Sequence, residues 1–355
     1  AAQLRSLGVR PNRVADPARQ NGHFDAAHPG ELYRGWPPLA LAVSRNDTAS
    51  VQQLLEAGGD AKLRLPQGDP LLQIAVDAHA IDSMPLLLRH GADASAADHA
   101  GHSALWLAAT RGEPAVVEAL LSAGVAPDTH AADEQTPLLA ALRAAHSDIA
   151  HILLAAGAAT EATDAQGHTP LMLACAGGEV ALAKLLLEHH AKPDTADRRR
   201  RTALWYAAAF GSRDEVSLLL AAGAAADVAD ASGLTVLHAA AAQARSDVLV
   251  PLLAADAHLN RHDALGDTPL MIAAATGHAE VVQALLARSP ALDVQNDAGD
   301  TALIAASRGG YAAICRMLMA AGANKSLRNA SGVTAGDVAV GRGFAVIVSE
   351  LTGKG

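Results

Sequence analysis

Apolar residues recur along this chain in short blocks rather than in long runs. One block reads Thr169-Pro170-Leu171-Met172-Leu173-Ala174, stops at Gly177-Gly178, and resumes from Val180 to Glu188 with Leu182, Leu185 and Leu186 on one face. This spacing predicts two short amphipathic helices joined by a glycine turn. Thr169 suits an N-cap, and Pro170 suits the first helical position, where no amide hydrogen is needed. Leu171, Leu173 and Ala174 then form the buried stripe. Between blocks the chain turns polar, as from Gly91-Ala92-Asp93 to Asp98-His99-Ala100-Gly101. Such stretches predict a β-hairpin finger.

The block repeats. Aligning its first leucine gives Leu39, Leu71, Leu105, Leu138, Leu171, Leu204, Leu237, Leu270 and Leu303, at spacings of 32, 34 and then 33 six times. A tenth unit follows at Val333-Thr334-Ala335-Gly336. The best copies, Asp164 to Ala174 and Asp263 to Ala273, share Asp-Ala-x-Gly-x-Thr-Pro-Leu-Met-x-Ala. Period and internal pattern together resemble the ankyrin repeat, over about nine tenths of the chain. The resemblance implies an all-α ankyrin-repeat solenoid of about ten stacked units, each a helix–turn–helix with a finger. Residues 32–355 would form one elongated domain, ending in a C-terminal capping repeat. Residues 1–31 read differently. Gln3 to Asn12 look like the end of a second helix and its turn, and Arg13 to Glu31 like an extended loop, together a half-repeat cap with room for more polypeptide upstream. The last residues, Thr352 to Gly355, look like a natural terminus.

Departures from the pattern are few. His190, Asp256 and Ser289 stand where a closing turn calls for Gly, and Arg200 stands where a finger does. The histidine that ankyrin repeats often carry after the leucine survives only as His238; Trp106, Trp205, Met172, Met271 and Ile304 replace it with apolar bulk.

Composition fits this picture. The 355 residues are 50% hydrophobic but only 3% aromatic, so the apolar content is mostly alanine. A large globular core of alanine would be poorly filled, whereas closely packed short helices need small side chains. The apolar content also excludes a disordered chain. A net charge of −10 argues against a nucleic-acid partner. No apolar run is long enough to insert in a membrane. Arginine outnumbers lysine and alanine abounds, a bias of GC-rich bacterial genomes. A cytoplasmic setting is favoured, with exported-effector and periplasmic settings left open.

Chemical motifs are scarce. There is no phosphate-cradling Gly-rich loop, no His-Glu-x-x-His and no Cys-x-x-Cys. Ser103 is explained as an N-cap. Cys175 and Cys315 sit some four repeats apart and read as small buried hydrophobes rather than a disulfide. His258 and His262 share a finger, not a helix face. His99, His102, His130 and His168 occupy three neighbouring fingers and read as solvated residues, with a metal site or a pH-sensitive contact as alternatives. His189-His190 reads as a solvated turn. The sequence therefore predicts no enzyme, no cofactor and no metal.

What remains is surface. In the family this chain resembles, the concave face of finger tips and exposed first-helix positions commonly binds a protein. Those positions map here to Tyr33, Trp36, Leu65, His99, His102, Arg111, Glu134, His168, Arg198, Arg199, Arg201, Phe210, Leu234, Asp267 and Asp300. Aromatic and arginine side chains are the better anchors among them. Trp106 and Trp205 are expected half-buried between repeats. The run Arg198-Arg199-Arg200-Arg201 is either a solvated loop or a basic spot gripping an acidic partner segment. The expectation is a monomeric, non-catalytic scaffold that binds a partner protein. The alternative is a regulatory or targeting module of a longer enzyme or membrane protein whose working part lies upstream.

Overall fold

The computed structural model describes residues 36–129, 135–255 and 257–352. Tyr33, His130, Glu134, Asp256, the half-repeat cap and residues 353–355 lie outside them. Among the described residues there are twenty helices of six to nine residues and no strand. The chain divides into two compact units, Ala1–Ala165 and Gln166–Gly355.

The first unit holds four helix pairs: α1 (Pro38–Ser44) with α2 (Thr48–Glu56), α3 (Leu71–Asp77) with α4 (Met84–Arg89), α5 (Ala104–Arg111) with α6 (Pro114–Ser122), and α7 (Pro137–Arg143) with α8 (Ser147–Ala155). The second unit holds six. They are α9 (Pro170–Gly177) with α10 (Val180–Glu188), α11 (Ala203–Ala209) with α12 (Arg213–Ala221), α13 (Val236–Ala242) with α14 (Leu249–Ala254), α15 (Pro269–Thr276) with α16 (Ala279–Leu286), α17 (Ala302–Gly309) with α18 (Ala312–Ala320), and α19 (Ala335–Arg342) with α20 (Ala345–Thr352). Within each unit, first helices pack on first helices and second on second, so each pair continues the core of the one before.

The aligned leucines are the centre of that core, none of them more than 2% exposed. Ala207, Ala208, Ala240, Ala241, Ala273 and Ala274 are buried beside them, small enough to let neighbouring helices approach. Local signals start the helices as expected. The Thr169 hydroxyl accepts from the Met172 amide, the Ser103 hydroxyl from that of Trp106, and Pro170 opens α9. Closing turns without glycine still adopt the left-handed conformation, at φ +64° for His190 and +51° for Ser289.

The fingers depart from the expected β-hairpins. Among the described residues only an isolated bridge, Arg64 to Pro70, has strand pairing. Most fingers are instead tight turns closed by backbone bonds, such as the Asp197 amide to the Arg201 carbonyl (2.9 Å), and braced by one side chain. The Asp197 carboxylate accepts from the amides of Arg199 and Arg201, both at 2.8 Å. Asp98, Asp230, Asp263, Asn296 and Asn329 make the same pair of bonds in their own fingers. With these amides taken, successive fingers of the second unit are stitched by single backbone bonds. Examples are the Arg198 amide to the Gln166 carbonyl (3.1 Å) and the Ala231 amide to the Arg199 carbonyl (2.8 Å). A carboxylate or amide side chain braces the turn, and no ladder forms.

Candidate functional site

Among the described residues, the densest grouping of aromatic and charged side chains lies in the second unit, where the finger 197–201 meets helix α11. Its base is Asp197, 6% exposed. Besides the two amides, Asp197 accepts a 2.7 Å bond from the Tyr206 hydroxyl, and His168 Nε2 stands 3.8 Å away. The His168 ring meets Tyr206 edge-on at 5.6 Å. Burial, reinforced by the hydrogen bond and charge of Asp197, pushes the Tyr206 hydroxyl well above its ordinary pKa. Tyr206 is thus a neutral donor at any physiological pH, locked onto the finger.

Arg201 is committed to the fold. Its Nε donates to Asp230 at 3.1 Å, and its guanidinium lies 3.9 Å over the Trp205 ring. Trp205 is buried rather than half-buried, at 7% exposure; Trp106, by contrast, is half-buried as expected. From Trp205 the aromatic contacts continue to Tyr206 (5.3 Å) and to Phe210 (6.2 Å). Phe210 is 52% exposed.

The other three arginines of the run are exposed, and among the described residues Arg198, Arg199 and Arg200 have no carboxylate partner. Arg200 sits at φ +62°. In every other described finger that place belongs to glycine: Gly68, Gly101, Gly167, Gly233, Gly266, Gly299 and Gly332, all with positive φ. A long cationic side chain is therefore held in a backbone state that costs it about 1 kcal/mol. Three unpaired guanidinium groups project from one stitched turn, with an exposed ring at the far end of α11.

Taken unit by unit, the remaining predicted positions form no comparable grouping. In the first unit, His99 pairs with Asp69 at 2.9 Å, and His102 stacks on Trp106 with ring centroids 4.0 Å apart. Arg111 pairs with Asp77 at 2.7 Å, and Trp36 is half-buried. Leu65 is 4% exposed and offers no surface. In the second unit Leu234 and Asp267 are half-buried, and Asp300 is buried against Arg308 and Asn329. Burial, with Asp263 and Asp300 nearby, raises the Asp267 carboxyl above its usual range. His258 pairs with Asp227, and His262 with the Gly266 carbonyl. Among the described residues no three His, Cys, Asp or Glu side chains form a metal-binding group, and no helix is long and apolar enough to cross a membrane. Cys175 and Cys315 are both free and buried.

A family model describing ankyrin repeats, in three copies, matches residues 39–131, 105–197, 190–263 and 246–329. The chain belongs to the ankyrin-repeat family. Several hundred solved chains match it in structure. One is the crystal structure of the human ASB11 ankyrin repeat domain, at a TM-score of 0.57 and 28% identity, covering 62% of this chain and 99% of that one. No curated protein sequence matches.

Ankyrin repeats are in general protein–protein interaction modules, and the ankyrin fold is typically non-catalytic. Within this ankyrin array, sequence reasoning missed Tyr206. A signal for it exists: the residue two past each aligned leucine is half-buried at Leu107, Leu173 and Ile272 as well, so that register borders the surface. It also missed Glu215, wholly buried in α12, whose Oε2 accepts from the Ser212 amide at 2.7 Å while Oε1 has no partner among the described residues.

Proposed function

We propose that this ankyrin-repeat protein is a non-catalytic scaffold that binds a partner protein on the finger side of its first helices. The basic finger at Arg198 and Arg199 takes an acidic segment of that partner. One observation carries the reading: three adjacent guanidinium groups stand unpaired on a turn fixed by Asp197, in a chain of net charge −10. Arginines left without carboxylates in so acidic a protein are available to carboxylates from elsewhere, and Arg binds these in bidentate fashion. A rigid turn lowers the ordering cost of binding. Nucleic acid fits poorly, since a chain of net charge −10 repels a long polyanion. Arg201 belongs to the support rather than the contact.

The test compares proteins captured by the wild-type chain with those captured by R198E/R199E, after circular dichroism shows equal helix content. A reversal of an unrelated exposed arginine, R288E, is the control. A defined set of partners retained by wild type and R288E but lost from R198E/R199E is the expected result. Identical capture by all three would remove the basic finger from the binding surface.

A further inference from the structure

The basic finger and the exposed ring of Phe210 flank the same helix. Arg201 covers Trp205, and Trp205 meets both Tyr206 and Phe210, so aromatic contacts run unbroken from the finger to the ring. Between them lies α11, seven residues long. At about 1.5 Å rise per residue α11 itself spans about 10 Å from the base of the finger to the ring. An extended chain covers that distance in three to four residues, at about 3.3 Å each.

Phe210 is an unusual residue to leave in water here. The chain has three phenylalanines, and this one is 52% exposed although every residue of α11 except Tyr206 is buried. It caps the helix with φ −131°, six residues past the aligned Leu204, where other repeats carry Arg45, Asp77, Arg111, Gln243 or Thr276 and none of the described ones an aromatic ring. Helix termination therefore does not require the ring. An exposed aromatic packed on its inner side against Trp205 is a pre-ordered apolar anchor.

We infer that this surface reads a two-part motif: an extended acidic stretch whose carboxylates meet Arg198, Arg199 and Arg200, and a large apolar side chain three to four residues away that packs on Phe210. The inference rests on the protein-binding reading above and adds to it a composition and a spacing. Neither half suffices. Exposed ion pairs alone are weak and screened by salt, and a single half-exposed ring is a small apolar contact. Together on one rigid scaffold they select a short segment, as two linked sites do.

Fluorescence polarisation with labelled peptides and the full chain tests this. One peptide carries three glutamates followed, after three serines, by leucine. The others place leucine directly after the glutamates, replace it with serine, or replace the glutamates with glutamine. A single-stranded oligonucleotide of similar charge completes the set. The spaced peptide is expected to bind about tenfold more tightly than the unspaced and serine versions. F210A should abolish that difference while leaving the weaker acidic binding in place, and R198E/R199E should abolish both. Equal binding by every acidic peptide would overturn the spacing rule while leaving the acidic-segment reading intact. If glutamate and glutamine peptides bound alike, the acidic reading itself would fall. Binding of the oligonucleotide as tight as that of the spaced peptide would also overturn the inference.

Discussion

Arg200 shows how one residue can depart from a repeat for a reason the repeat does not supply. Its φ of +62° is the conformation its glycine counterparts adopt freely. R200G should therefore stabilise the chain by about 0.5–1 kcal/mol in urea unfolding, the relief of left-handed strain being partly offset by the greater freedom of the unfolded glycine. The same change should weaken capture of acidic peptides. Glu215 is a second residue-scale case. Burial raises its pKa above the ordinary carboxyl value despite the capping bond from Ser212. A carboxyl raised in the folded state holds its proton more tightly there than when unfolded, so folding is favoured at low pH. That contribution fades as pH climbs from the ordinary carboxyl range through the raised folded value, and is flat above it. E215Q can still accept from the Ser212 amide but cannot ionise. The stability difference between wild type and E215Q, followed by urea melts from pH 4 to 8, should thus shift in favour of the variant as pH rises. A pH-independent difference would show that Glu215 titrates alike in both states.

At the scale of elements, the finger is the part whose chemistry is least like its usual description. One aspartate or asparagine per turn binds two amides and braces a turn that its own backbone also closes, as between Asp197 and Arg201. Close stitching then depends on glycine where the next finger passes. A Cβ at Gly299 would stand 2.5 Å from the Ala330 nitrogen, which donates to the Ala298 carbonyl at 2.9 Å. A methyl at Gly91, in a closing turn with φ +89°, would meet nothing within 4 Å. Both substitutions to alanine incur left-handed strain of about 1 kcal/mol, but only G299A adds a backbone clash. G299A should cost about 2 kcal/mol or more by urea unfolding, and G91A about half that. Equal costs would mean the fingers are not packed this closely.

Across the whole molecule, stability is a sum of thin local cores. Each helix pair packs on the pairs beside it in its own unit. Leu237, fully buried in α13, is the centre of one such layer. L237A should cost about 2–5 kcal/mol. Hydrogen exchange should rise most in α11 to α16 and fade toward α19 and α20, since coupling passes between adjacent layers. Uniform acceleration throughout the second unit would contradict that. This layered build explains why so much was legible beforehand. Helix starts at Thr169 and Ser103, stops at Gly178, and the leucine layer all depend on residues a few positions apart, and a repeated 33-residue pattern states them many times over. Less local features were not legible. Leu65 and Asp300 fall in register with surface positions, yet both are buried in the folded chain. Arg201 belongs to an unbroken run of arginines, yet Asp230 and Trp205, from the next finger and the next helix, claim it. Tyr206 was hidden among apolar helix residues until Asp197 drew its hydroxyl to the finger.

By itself, then, the amino-acid sequence determined the family, the helix pairs and the leucine-and-alanine core, because these follow from short-range spacing and capping. Only the tertiary structure decided which charges remain free and which rings remain exposed. Those depend on what the adjacent layer places within about 3 to 4 Å, a distance that no period along the chain encodes.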